Sequence, residues 1–209
     1  MPTPSKRAVD FIIAFEVTSQ ATYEKKYRRP EWPGGASGIT IGVGYDLGYV
    51  TIAEMEAAWK PHLPAEMITA MRAMTGKKGL VAKALLAGIR PKVDVPWDTA
   101  YAVFQDKTLP KYQAMTDKAL PNTALLSGDS YGALVSLTFN RGASYGKTKD
   151  VNDPMDRYRE MRAIKKLMAS QAFSSIPAEI TAMQRLWPNV AGLQRRRREE
   201  AKLFKDGLS

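Results

Sequence analysis

The sequence predicts a mainly α-helical α+β fold with one small β-hairpin set among many helices. Three observations carry this. From about residue 64 onward, nearly every stretch repeats its apolar residues at helical spacing. Residues 38–49 instead alternate glycine with β-branched or aromatic residues, the signature of short strands around a tight turn. Ahead of both, residues 5–17 form a separate apolar-faced segment of helical period.

Each element has a local reason. In the first helix Ser5 offers an N-cap, and Val9, Ile12, Ile13, Ala14 and Phe15 supply the apolar face. Residues 18–36 are polar, aromatic and rich in proline and glycine, so a loop or irregular hairpin is expected there. Thr51-Ile52-Ala53-Glu54 is a capping box that opens a helix through about residue 60. Further helices are expected near 64–75, 78–88, 96–117, 129–141, 155–171, 177–186 and 190–206. Pro96 and Pro177 stand where a first helical turn tolerates proline. The segment 143–154, rich in glycine, aspartate and asparagine, reads as a loop, and no solenoid-type repeat is present. The expected organisation is a single domain over 1–209. Within it a small β-hairpin lobe, about 18–50, lies beside a larger helical lobe of 51–209 plus the helix 5–17. A substrate cleft is expected between the lobes.

Composition narrows the chemistry. A chain of 209 residues with 44% hydrophobic and 25% charged residues can bury a sizeable core. No segment approaches the roughly 20 apolar residues needed to cross a bilayer. The run Phe11-Ile12-Ile13-Ala14-Phe15 ends at a glutamate and falls short of a secretory h-region. Cysteine is absent, which excludes disulfides, thiolate metal sites and cysteine nucleophiles. The single histidine, His62, lies in a turn-like Lys-Pro-His-Leu-Pro context and leaves no basis for a Ser-His-Asp triad or a multi-histidine metal site. No metal or cofactor is expected. The net charge of +10 draws the protein toward polyanions: nucleic acid, anionic lipid or an acidic cell-wall polymer.

Four constellations could carry chemistry. Glu16 is flanked by Phe11, Ile12, Ile13, Phe15 and Val17, so partial desolvation would suit its carboxyl to a general-acid role; the competing reading is a solvent-facing glutamate on an amphipathic helix. Thr40, Gly42, Gly44 and Asp46 share one face of an unbulged strand, where the glycines would floor an open groove; the competing reading is a glycine-rich hairpin with Asp46 starting a turn. Glycoside hydrolysis needs a carboxylic acid for the leaving oxygen and a second group that places water or attacks the sugar. Glu16 and Asp46 could form that pair with Thr40 helping to hold water, and Glu24 and Glu31 are rivals for the second role.

Residues 133–142 form a helix ending at Gly142, where Asn140 and Arg141 could bond a sugar or simply cap and solvate the helix end. In residues 192–204, Leu193, Arg196, Arg197, Glu200, Leu203 and Phe204 fall on one helical stripe. One of Arg196 or Arg197 is therefore expected to point inward and to need an acidic partner, for which Glu16 is the candidate. Arg195 and Arg198 are expected to face solvent.

The order of these pieces resembles the phage-type lysozymes of glycoside hydrolase family 24. The matching residues are Glu16, then Thr40-Ile41-Gly42-Val43-Gly44, then 133–142, then 192–204. The resemblance implies a lysozyme-like fold with a cleft, and muramidase activity on the β-1,4 bond between N-acetylmuramic acid and N-acetylglucosamine. It implies Glu16 as the acid, Thr40 as the catalytic threonine, Arg196 as structural support of the acid, and Phe139, Asn140 and Arg141 as cleft-lining residues. Gly44 and Tyr45 are expected to contact substrate, Tyr45 standing where the family has a histidine. The chain departs from the pattern at Gly34, where the family places its catalytic aspartate six residues before the threonine, and Asp46 is the preferred replacement. Residues 60–95 are unmatched and are expected to add helices.

The expected partner is bacterial peptidoglycan, with the anionic envelope surface as a second attraction, no nucleic acid and no transmembrane segment, and a monomeric state. Synthesis without a signal peptide in a host cytoplasm and action on the wall fit a phage endolysin. A bacterial toxin or secretion effector of the same activity fits equally. A basic helical nucleic-acid-binding protein using Arg195–Arg198 is the alternative from another class, and a catalytically dead wall-binding module is a third.

Overall fold

The computed structural model describes residues 2–209. Among these are eleven α-helices and one two-stranded antiparallel sheet. In chain order the elements are α1 (Lys6–Val17), α2 (Gln20–Lys26), β1 (Thr40–Ile41), β2 (Tyr45–Asp46), α3 (Ile52–Trp59), α4 (Ala65–Met74), α5 (Gly79–Ile89), α6 (Trp97–Val103), α7 (Leu109–Ala119), α8 (Gly128–Arg141), α9 (Arg159–Ala169), α10 (Ile176–Ala182) and α11 (Ala191–Asp206). The mainly helical α+β class is as the periodicity predicts. No helix among the described residues is long and apolar enough to cross a membrane.

The chain divides into two compact units. One comprises residues up to Ile12 together with Lys111–Ser209, and the other is Ile13–Pro110. In the first, α8 is buried along most of its length and packs on α11, which also meets α10. Gly132 allows the N-terminal half of α1 to cross α8 closely: a Cβ there would lie 2.2 Å from that of Ala8. Thr116, Thr138 and Tyr145 form a buried hydroxyl chain, with oxygens 2.9 and 3.1 Å apart, satisfying polar atoms that burial would otherwise leave bare.

In the second unit, the segment after α1 contains a helix where a loop or irregular hairpin is expected. Ser19 caps α2 by accepting from the Thr22 N–H. Tyr23 is buried, and its hydroxyl donates to the Val95 carbonyl at 2.8 Å. This tertiary anchor stabilises seven residues whose helical period is too short to recognise. The capping box at Thr51 and Glu54 forms as expected. The helix expected over 96–117 is interrupted by a π-helical turn, Phe104–Thr108. Pro110 lacks the N–H a regular ladder would use, and the Leu109 N–H reaches back to Phe104, so the turn widens just ahead of the proline.

Candidate active site

Glu16 lies in the last turn of α1, half-buried, between Phe15 and Val17 in the chain. Thr40 opens β1, and register pairs it with Asp46 on β2, while Ile41 pairs with Tyr45. Cross-strand partners share a sheet face, so Thr40 and Asp46 do lie together.

Gly42, between them, acts differently from the expected open floor. Gly42 and Gly44 have φ of +57° and +69° and belong to the turn, not to a strand. A Cβ on Gly42 would sit 2.8 Å from the Trp59 ring, so this glycine exists for close packing. Gly38 and Gly48 press together: a Cβ on Gly38 would lie 2.3 Å from the Gly48 nitrogen. The stretch 38–48 is thus a tightly folded hairpin in which Gly38, Gly42 and Gly48 face protein.

Asp46 is correspondingly committed. Its carboxylate accepts the Gly48 N–H at 2.8 Å and the Gly38 N–H at 3.1 and 3.2 Å to its two oxygens. Burial raises its pKa above the ordinary carboxylate value, against the opposing pull of those N–H groups and of Lys78. Such a group organises the turn, with both oxygens accepting from backbone N–H groups. Beside it, the Tyr45 ring packs edge-on against Trp59 at 5.4 Å. Burial pushes the Tyr45 phenol up to about 12, so it stays protonated at neutral pH.

The rivals separate by geometry. Glu24 accepts from Arg28 at 3.1 Å and from the Trp97 N–H at 3.3 Å, so it tethers α2 to the start of α6. Glu31 instead forms a β-bridge directly opposite Thr40, with paired backbone bonds of 3.0 and 2.7 Å. Its side chain meets Arg90 at 2.7 Å and remains half-exposed. The row Glu31, Thr40, Asp46 crosses the hairpin, and its two carboxylates differ in their partners: Glu31 meets Arg90, whereas Asp46 meets the Gly38 and Gly48 N–H groups. The sequence names Glu31 as a rival but holds no signal for this register, which a loop with Pro30, Pro33, Gly34 and Gly35 creates. At Gly34 itself φ is +102°, a conformation an aspartate would adopt only with strain.

The other unit holds the remaining expected residues. Phe139 stacks on Tyr112 at 4.3 Å. Asn140 is exposed, and its side-chain oxygen accepts from Arg197 at 3.1 Å. Arg141 lies over the Trp187 ring at 5.0 Å and the Tyr158 ring at 5.7 Å, and it donates to the Arg157 carbonyl. Where one inward arginine is expected on α11, two are found: Arg196 and Arg197 are 4% and 0% exposed. Glu200, also 0% exposed, lies one turn on from both and explains the difference. It accepts from Arg196 Nε at 3.2 Å, from Arg197 Nη2 at 3.0 Å and from the Ser136 hydroxyl at 2.6 Å. Arg196 Nη2 further donates to the Ser136 hydroxyl at 3.2 Å. Burial pushes the Arg197 guanidinium down to about 10, so it remains a cation at neutral pH. Arg195 and Arg198 are exposed, as expected.

A helical chain carrying one small antiparallel hairpin after its first helices defines a lysozyme-like fold. The solved muramidase domain of SpmX from Asticaccaulis excentricus shares it, with a TM-score of 0.52 over 98% of each chain at 16% sequence identity. No family model matches the chain, and no curated protein matches it in sequence.

Proposed function

We propose that this protein is a peptidoglycan-degrading muramidase of the lysozyme kind that hydrolyses the β-1,4 bond between N-acetylmuramic acid and N-acetylglucosamine. The observation that carries the reading is the whole-length likeness to a muramidase domain, in a chain whose first helix ends in a half-buried glutamate. Glu16 donates a proton to the glycosidic oxygen as the bond to the sugar C1 breaks. Water adds at C1, and its proton passes to the second carboxylate. We assign that role to Glu31 with Thr40 beside it, because Asp46 has both oxygens bonded to backbone N–H groups. Gly44 in the hairpin turn and Tyr45 at the start of β2, and Phe139, Asn140 and Arg141 at the end of α8, are proposed as glycan contacts.

The burial of Arg196 and Arg197 removes half of the four-arginine run from the surface, which weighs against the nucleic-acid reading. Within the lytic reading, the +10 charge supports action on an anionic wall, as a phage endolysin or equally as a bacterial toxin or secretion effector of the same activity. The test is turbidity loss of outer-membrane-permeabilised bacteria. Wild type should lyse them. Glu16→Gln should lose nearly all lysis while melting at the wild-type temperature. Normal lysis by Glu16→Gln would overturn the assignment.

A further inference from the structure

Helix α5 has the sequence Gly-Leu-Val-Ala-Lys-Ala-Leu-Leu-Ala-Gly-Ile, apolar on nearly every side. Yet only Ala82 and Ile89 are buried, with Leu85 and Leu86 half-buried on the same inward arc. The outward arc carries Leu80, Val81, Ala84, Ala87 and Gly88, all exposed, with Leu80 at 77% and Val81 at 58%. A water-facing helix face ordinarily carries charged or amide side chains, and here Lys83 is the one such residue.

The charge around this face is of one sign. Lys77 and Lys78 precede the helix, Lys83 lies within it, and Arg90 and Lys92 follow it, while no aspartate or glutamate occurs between Glu66 and Asp94. Arg90 pairs with Glu31. Lys77, Lys78, Lys83 and Lys92 have no carboxylate within ion-pair distance among the described residues. Lys78 and Lys83 lie over the rings of Tyr49 and Trp32, at 3.8 and 5.4 Å. The start of the helix is held in place: the Gly76 N–H donates to Leu47 and the Gly79 N–H to Ser37, each at 2.9 Å.

We propose that this face of α5 is a docking surface for an anionic lipid bilayer. Leu80, Val81 and Ala84 enter the boundary between headgroups and acyl chains, and Lys77, Lys78 and Lys83 meet the lipid phosphates. Small apolar side chains without a pocket suit a fluid surface, and lysines can extend from an apolar face to reach headgroups. A second copy suits it less, since a twofold contact through α5 sets Lys77, Lys78 and Lys83 against like charges. The C-terminal helix α11 offers no equivalent, because its apolar residues Leu203 and Phe204 are buried. The inference stands apart from the muramidase reading.

The test is co-sedimentation of the full chain with large vesicles, phosphatidylglycerol-rich against pure phosphatidylcholine, with circular dichroism melting of every variant. The wild type should bind the anionic vesicles and leave the neutral ones. Leu80→Gln/Val81→Gln, which leaves charge unchanged, should weaken binding about tenfold. Lys77→Gln/Lys78→Gln/Lys83→Gln should weaken it about a hundredfold. Arg195→Gln/Arg198→Gln should leave it within about twofold, because those arginines belong to α11 and not to α5, and Glu16→Gln should bind as wild type. No binding to anionic vesicles overturns the proposal, and so does unchanged binding by Leu80→Gln/Val81→Gln. A dimer in sedimentation velocity that this double variant dissolves would give the face to a second copy and overturn it equally.

Discussion

Asp46 and Glu31 lie in one cross-strand row with Thr40, yet their surroundings give them different work. The Asp46 carboxylate is an internal acceptor for the Gly38 and Gly48 N–H groups. Asp46→Asn would turn a donor toward one of them and should cost about 1–3 kcal/mol of stability. Thermal melting should show the loss, with lysis retained at temperatures where the variant is folded. Glu31→Gln should do the reverse: melting within about 0.5 kcal/mol of wild type, since its pair with Arg90 is half-exposed and screened, but lysis reduced about a hundredfold or more. If Asp46→Asn melts normally and lyses nothing, the roles are exchanged. Glu16 and Thr40 are legible in the sequence, because an apolar helix turn and a β-branched strand residue announce their own settings. The opposition of Glu31 and Thr40 is not, because a backbone register made by a proline- and glycine-bearing loop leaves no periodic trace.

At the scale of the element, α11 shows what a helical stripe can and cannot reveal. Spacing indicates that arginine and apolar residues share a face, but an adjacent pair differs by only about 100° of rotation. Glu200 stands four residues from Arg196 and three from Arg197, so one acid serves both and both can enter. Glu200→Gln leaves two buried guanidinium groups with weakened compensation and should destabilise the chain by about 3–5 kcal/mol in chemical denaturation. A loss below about 1 kcal/mol would show that water reaches those arginines. The hairpin follows a parallel logic. Its glycines are visible in the sequence as punctuation, whereas their reason lies in Trp59, which is distant in the chain and packs against Gly42. Gly42→Ala, at φ +57° with no room for a methyl group, should cost about 1–3 kcal/mol. α2 and the π turn were hidden for related reasons: one depends on the buried Tyr23 hydroxyl bond, the other on a proline late in an otherwise regular helix.

At the scale of the whole molecule, the mainly helical α+β class is read correctly from periodicity, because helical period persists over most of 209 residues. Stability over the whole chain should weaken in acid. Glu160 is buried, which favours its neutral form. Bonds from Arg185 at 2.6 and 2.9 Å and the charge of Arg159 outweigh that and hold its pKa below the usual glutamate value. A depressed carboxylate contributes stability that is present above the unfolded value, near 4.3, and lost as pH falls through the folded one. Melting temperature should therefore drop below about pH 4, and Glu160→Gln, less stable throughout, should show a shallower fall. An equal slope in both proteins would assign acid lability to other carboxylates. The central claim concerns the bond that is broken, and product analysis of purified peptidoglycan reads it most directly. Mass spectrometry should find muropeptides with a new reducing end at N-acetylmuramic acid after treatment with wild type, and none after treatment with Glu16→Gln. Anhydro-muramic products, or equal release by the two proteins, would contradict the account.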